Sequence, residues 1–569
     1  MYCCQAFLKV QRFKLSSSAV LNGQKYRVYG SICFAVILLG IGVPLWWYMT
    51  TVQRVALPYS GIDDLSNLEI RIKMKILVAA LTDERATALT EEIRRTFEDS
   101  EIYDLEVVYQ VVSSNLLALA FAHHESEKIA STFDLDVGNL LFLESPNLND
   151  AVVVGSKRTI YFSIETSNEK LVQVLSEWIL REKSLNLTKN ALTNPTDYSL
   201  DEENRQRFPA SSAYDVLITI VNPDPETLKV NWDLRTMAEE YIEPFLDQLS
   251  MVSNFSVKSQ WLYLLPLGVT PIRVPDSSLR GRHYGLMEDV LPHIVTPLEK
   301  KLASQVSLHP CINFVAYIVP CNNAPLYIYT RNGRKSTTDS GVEAFLSPRW
   351  GGVVFTNPSF EACEAAARGK ATTIIPDEAI IIGSFLAQLR LLLGIPEMKP
   401  ISSVTVVPLV GLKSRDWEVD ALLRVRAMEQ LTSAKLTLQS LAQLLTEINR
   451  IVITDVVGNR IKVALDLVER SAELLRHGDL MNGFILSKDA FITAEEAFFD
   501  PTLLALLYFP EDQKYAVYTP LFLPAMIPVL LSLRTILKYY RGSKTDPKQV
   551  TTQNKTNKDS TEVKDKKVQ

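Results

Sequence analysis

Two long stretches of this chain lack any charged residue, one near each end. Between them, short strand-like and helix-like patterns alternate. The first uncharged stretch runs from Val28 to Val52 and the second from Tyr515 to Leu533. Each is long enough to cross a hydrocarbon core as a helix. Basic residues flank both on the outer side: Lys9, Arg12, Lys14, Lys25 and Arg27 before the first, and Arg534, Lys538, Arg541, Lys544 and Lys548 after the second. Such flanks stay cytoplasmic. The pattern therefore predicts cytoplasmic ends at 1–27 and 538–569, transmembrane helices at 28–52 and 515–537, and the rest on the far side of one membrane. The first stretch is too long for a cleaved signal peptide and reads as a retained anchor. In the second, Pro520, Pro524 and Pro528 recur every fourth residue. Each removes an intrahelical hydrogen bond, and the freed carbonyls need protein or water in a bilayer. This span is expected to kink and pack against other transmembrane helices. Gly40, Gly42 and Pro44 allow close approach in the first.

The middle of the chain changes period once. Ile70, Ile72, Met74 and Ile76 alternate with Arg71, Lys73 and Lys75, which is a strand period. Residues 83–97 follow as a helix opened by acids. Further strands are expected at 105–112, at 152–164 as a pair around Gly155-Ser156, and at 215–221, 259–265, 314–319, 326–330 and 353–357. Helices are expected at 171–181, 237–249 and 287–303. This alternation predicts an α/β domain over 53–410, a mixed sheet covered by helices. From Trp417 the period is helical and stays so, predicting a helical segment over 411–514. Pro396, Pro400 and Pro408 mark the boundary.

Composition narrows the chemistry. The net charge is −6 across 569 residues, with no concentrated basic surface in the middle, which argues against a nucleic-acid partner. Of six cysteines, only Cys311, Cys321 and Cys363 fall in the far-side region, so at most one disulfide forms within it. Cys311 and Cys321 bracket a strand and form one candidate pair. Asn186-Leu187-Thr188 and Asn254-Phe255-Ser256 are glycosylation sequons on the far side. Lys566 and Lys567 near the C-terminus resemble a dilysine signal for return to the endoplasmic reticulum. His309-Pro310-Cys311 is the one nucleophile–base pairing, with both residues on one face of an extended chain. His123-His124-Glu125, and His283 with His293, lack metal-site spacing. No phosphate-binding glycine loop occurs, so no cofactor is expected. Asp500, Glu511 and Asp512 read as a hydrated collar. Arg349-Trp350-Gly351-Gly352 is either a contact loop or a packed turn leading into a strand.

Several stretches together resemble the PIG-S family. They are Val43-Pro44-Leu45-Trp46-Trp47 continuing to Leu57-Pro58-Tyr59-Ser60, then Ser347-Pro348-Arg349-Trp350-Gly351-Gly352, Phe385–Leu392, Ser440–Leu445, and Ala497-Phe498-Phe499-Asp500-Pro501 running on to Pro524. The resemblance implies a subunit of the endoplasmic reticulum glycosylphosphatidylinositol (GPI) transamidase. That complex cleaves a C-terminal signal from a precursor and joins the new C-terminus to a GPI lipid. It implies a non-catalytic role, with the catalytic cysteine and histidine in the caspase-like PIG-K. The implied partners are PIG-K, PIG-T, PIG-U and the metallopeptidase-like GPI-attachment subunit. The family defines no catalytic residues to carry over. Two other readings are a free-standing lumenal hydrolase using Cys311 with His309, and a lumenal chaperone or tether.

Overall fold

The structure, a computed structural model, describes residues 17–50, 54–112, 128, 130–146, 148, 150–193, 205–274, 283–330, 333–334, 342–409, 411–448, 451–504 and 511–542. The chain forms two compact units. One is built from Val55–Asn449 and Thr454–Asp500, the other from both ends of the chain with residues 450–453.

The larger unit holds two main sheets. The first contains β1 (Ile72–Ala80), β2 (Tyr103–Val111), β3 (Leu140–Glu144), β4 (Val152–Val154), β5 (Thr159–Phe162) and β17 (Val404–Val406), in the order β17-β4-β5-β3-β1-β2. All its pairings are parallel except the β4–β5 hairpin at Gly155-Ser156. The alternation read from the sequence holds in β1, where Ile72, Met74 and Ile76 are buried. The helix Asp83–Phe97, here α2, has the expected bounds. Its cap is the Thr82 hydroxyl, which accepts from the Arg85 amide; Asp83 and Glu84 lie in the first turn, where the helix dipole favours them.

The second sheet contains β6 (Ala213–Asn222), β8 (Asn254–Tyr263), β11 (Cys311–Ile318), β14 (Glu343–Ser347) and β15 (Gly351–Thr356), in the order β14-β15-β11-β6-β8. Four strands are parallel and β14 is antiparallel. β6 and β11 are buried almost throughout, as strands covered on both faces must be. A small sheet of β9 (Ile272–Val274), β10 (His283–Met287), β12 (Leu326–Thr330) and β13 (Gly333–Arg334) stands beside it, and β7 (Leu228–Val230) pairs with β16 (Thr372–Ile374). Two mixed sheets thus replace the single one expected. β3 escaped the sequence reading because Leu140–Leu143 is a continuous apolar run without a period. The expected helix at 287–303 shortens to α4 (Leu291–Glu299), with Pro292 in its first turn, where no amide hydrogen bond is lost.

Three long helices belong to the same unit: α6 (Asp416–Glu447), α7 (Asp455–His477) and α8 (Leu480–Phe498). Two shorter ones matter below, α3 (Glu182–Thr193) and α5 (Glu378–Leu393). α7 and α8 form a hairpin through Gly478, whose φ of +91° suits a residue without Cβ.

In the smaller unit, α1 (Ser17–Ala35) continues as a π-helical stretch, Val36–Gly42, and a helix, Val43–Thr50. α9 (Glu511–Gly542) is a single helix of 32 residues containing all three prolines, and α1 packs on it. Among the described residues, no helix is long and apolar enough to cross a membrane. The first uncharged stretch is divided among three helical segments, and α1 itself carries polar residues through Arg27.

Candidate functional site

The residues nearest to an active-site constellation gather at the N-terminal ends of the second sheet. Asp215 opens β6 and is buried. Its Oδ2 accepts from Lys258 Nζ of β8 at 2.5 Å and from the Ser307 hydroxyl. Ser307 also accepts from the His309 amide, pinning the loop. Burial alone would raise the Asp215 carboxyl, but the bonds from Lys258 and Ser307 hold it below its ordinary value. The Cys311 thiol is pushed the other way, up to about 11, by burial and then by the Asp215 carboxylate. It lies 3.5 Å from Asn313 Oδ1, as a donor. A nucleophilic cysteine needs a lowered pKa and an electropositive setting; this one has neither. Ligands of parallel sheets also gather at the C-terminal strand ends, opposite this cluster.

Those C-terminal ends are closed by structural contacts. Asn222 Nδ2 donates to the Leu228 carbonyl and Asn357 pairs with the Leu326 backbone. Cys321 is bonded to Cys363, and Cys311 is free, so the bracketing pair Cys311–Cys321 does not form. His283 is buried, stacked on Tyr329 with Nε2 2.6 Å from the Tyr329 hydroxyl, while His293 lies exposed on α4. Among the described residues, no group of three His, Cys, Asp or Glu gathers as it would around a metal ion. His123-His124-Glu125 lies outside the described residues.

Two of the stretches that carry the family resemblance meet in the core. Trp350 is buried, and Arg349, at φ +55°, turns the chain into β15. A Cβ on Gly351 would sit 1.8 Å from the Asn313 carbonyl oxygen, and one on Gly352 would sit 1.9 Å from Gln388 Oε1 of α5. Gln388 Nε2 in turn donates to the Phe345 carbonyl at 3.2 Å. The Arg-Trp-Gly-Gly turn is therefore a packed turn, and its glycines let two layers touch. Leu441, Ala442 and Leu445 of a third stretch are buried on α6. Asp500 accepts from Arg460 at 2.8 Å and is part of the packing rather than a hydrated collar.

What the sequence did not reveal is the charge buried along α6. Between Trp417 and Thr432 this helix is buried on all sides. Asp420 accepts from Arg158 at 2.5 and 2.9 Å and from the Gly138 amide at 3.0 Å. Glu418 takes Arg390 and Arg415, both at 2.8 Å. Arg424 donates to the Ile179 carbonyl, and Arg426 to the Phe208 and Leu393 carbonyls. Glu429 receives Arg207 at 2.5 Å and Arg426 at 3.0 Å. Burial pulls the Arg207 guanidinium below its ordinary value, although Glu429 pushes it back. Arg158 and Gly138 belong to the first sheet's connections, whereas Phe208 and Leu393 flank the second. One helix thus ties both layers together through paired charges.

The remaining candidate positions lie at the surface or outside the described residues. Asn254 is exposed at the start of β8, a sheet edge, and Ser256 is exposed beside it. Asn186 lies within α3, and the Thr188 of its sequon is buried, donating to the Ser184 carbonyl and accepting from Arg207. Pro520, Pro524 and Pro528 are exposed on α9. Lys566 and Lys567 lie outside the described residues.

The chain matches the family model described as phosphatidylinositol-glycan biosynthesis class S protein over residues 33–543. It is 34% identical over 546 residues to the GPI-anchor transamidase component PIGS of Rattus norvegicus, covering 90% of this chain and 95% of the relative. Its identity to the Homo sapiens protein of the same name is 33% over 542 residues, again with 90% and 95% coverage. The GPI transamidase component GPI17 of Saccharomyces cerevisiae is 23% identical over 544 residues, with 91% and 93% coverage.

Proposed function

The chain belongs to the PIG-S family, and from that premise we propose that it is a non-catalytic structural subunit of the endoplasmic reticulum GPI transamidase. The complex cleaves the C-terminal signal of a precursor and attaches a GPI anchor, and the catalytic cysteine and histidine lie in PIG-K. The α/β body faces the lumen, held at both ends by membrane-spanning segments at 28–52 and 515–537, with both termini cytoplasmic. The uncharged stretches and their basic outer flanks support that arrangement. Lys566 and Lys567 serve return to the endoplasmic reticulum, and of the two lumenal sequons the exposed one at Asn254 is available for glycan. PIG-T, PIG-U and the metallopeptidase-like GPI-attachment subunit are the other partners.

One observation carries the reading. The family match runs from inside the first uncharged stretch to beyond the second, and the residues that carry the resemblance in the body pack its interior. A subunit that positions others has this character; an enzyme would spend such residues on an open cleft. The half-buried Cys311 thiol, pushed up to about 11 and so protonated at neutral pH, argues in the same direction. The test is affinity purification of the tagged full chain from membranes in mild detergent, with partners identified by mass spectrometry. Recovery of the other transamidase subunits in comparable amounts is expected. Recovery of the protein alone, or with a scatter of clients, would refute the proposal.

A further inference from the structure

We infer that an N-linked glycan on Asn254 shields the open edge of the second sheet and keeps β8 from pairing with a strand of another molecule. This rests on the reading of the α/β body as lumenal, where such glycans are added.

β8 closes the second sheet on one side. Its ten residues, Asn254–Tyr263, pair with β6 in parallel along their whole length. The Asn254 amide donates to the Ser212 carbonyl, and the Leu264 amide to the Asn222 carbonyl. In a parallel ladder alternate residues turn both backbone groups to the same neighbour. The residues in step with Asn254 therefore face β6. The backbone of Phe255, Val257, Ser259, Trp261 and Tyr263 faces outward, and among the described residues no hydrogen bond reaches it.

Such an edge is a template for strand addition unless charge, proline or a cover blunts it. β8 holds no proline, and its one charge, Lys258, is turned back onto Asp215 of β6. The comparable edge of the first sheet, β2, carries exposed Asp104 and Glu106 instead. At the far end of β8, Trp261 stacks on Tyr263 with ring centres 6.2 Å apart, and Tyr263 and Leu264 are 54% and 72% exposed. A long edge with so little charge is prone to pair with a copy of itself. The sequon sits where the missing cover is needed. Asn254 and Ser256 are exposed on one face of β8. Phe255, between them, stacks on Tyr214 from the other face at 5.9 Å. Buried Ser253 donates to the Ser211 carbonyl at 2.8 Å, which fixes where the strand begins. A glycan is bulky and hydrated. Another subunit could also cover this edge, and the sequon decides between the two, because a strand seated along β8 would have to pass the glycan.

The experiment uses the full chain in cells, expressed as two copies with different tags and purified from membranes in mild detergent. Asn254→Gln and, separately, Ser256→Ala remove the glycan. Each should raise recovery of the second tag with the first at least about fivefold. Adding Ser259→Lys, which places a charge on the outward edge, should return recovery to the parental level. A photo-crosslinking amino acid placed at Ser259 of the glycosylated chain should give no polypeptide adduct. Unchanged recovery in both glycan-free variants would overturn the inference. A rise that Ser259→Lys leaves in place would also overturn it, since the association would then come from misfolding rather than from the edge. An adduct from Ser259 to another transamidase subunit would do the same, because that subunit would be the cover. A parent chain whose Asn254 carries no glycan, read by glycosidase treatment and peptide mass spectrometry, would overturn the lumenal reading and this inference with it.

Discussion

Replacing Asp420 with alanine should weaken the body of this protein more than any surface substitution. Asp420 is 2% exposed and accepts three hydrogen bonds, two from Arg158 and one from the Gly138 amide. Breaking one side of a buried ion pair costs about 3–5 kcal/mol, because the other charge is left without a partner. The Arg158 side chain keeps 21% exposure, so water can solvate part of it; this places the cost near the lower end, about 3 kcal/mol. A unit of this size unfolds with an entropy of about 0.9 kcal/mol per kelvin, so the melting temperature should fall by about 3 °C. The assay is thermal unfolding of the purified full chain, followed by intrinsic fluorescence. The control is Asp420→Leu combined with Arg158→Met, which removes both charges and should recover most of the loss. A single Asp420→Ala variant that melts within about 1 °C of the parent would refute the claim that α6 holds the layers through its paired charges.

Three further outcomes are expected. Asn254→Gln should remove one glycan, seen as a glycosidase-sensitive mobility shift, while Asn186→Gln should leave the pattern unchanged, because Thr188 is buried in α3; a shift from Asn186→Gln would contradict this. Cells carrying Cys311→Ser should display GPI-anchored proteins at the parental level by flow cytometry, because a thiol raised to about 11 is protonated at neutral pH; loss of surface anchors in cells with intact complex would revive the hydrolase reading. Asp215→Asn should cost about 1–2 kcal/mol at neutral pH, discounted because Lys258 is half exposed. The folded carboxyl lies below its ordinary 3.8, so its contribution is complete above that value and fades as pH falls through the lower folded one. The melting gap between parent and variant should therefore be constant down to about pH 5 and shrink below about pH 4; a gap that grows on acidification would refute the assignment.

The elements with a clear period were the legible ones. β1, α2, the β4–β5 hairpin and β12 lie where alternation, capping and a turn place them. β3 and α5 were missed because both are nearly continuous apolar runs, buried on most sides, and burial on all sides erases the period that identifies an element. The same cause hid the role of α6. Its first half reads as an ordinary amphipathic helix because it carries Glu418, Asp420, Arg424, Arg426 and Glu429, which a sequence reading assigns to a solvated face. Their partners Arg158, Arg207 and Arg390 are far away in sequence, and no local spacing points to them.

The candidate chemistry failed for a related reason. His309 and Cys311 are two residues apart, and that spacing says nothing about the charge that surrounds them. Asp215, nearly a hundred residues upstream, sets the local field, and it opposes a thiolate. Resemblance succeeded where spacing did not, because it records packing that only the fold explains. Gly351 and Gly352 are glycines because the Asn313 backbone and the Gln388 side chain occupy the space a Cβ would need. Those contacts link β15 to β11 and to α5, so a larger residue at either position would separate a helix from its sheet. These two positions constrain the shape of the body, because the space beside each is already filled.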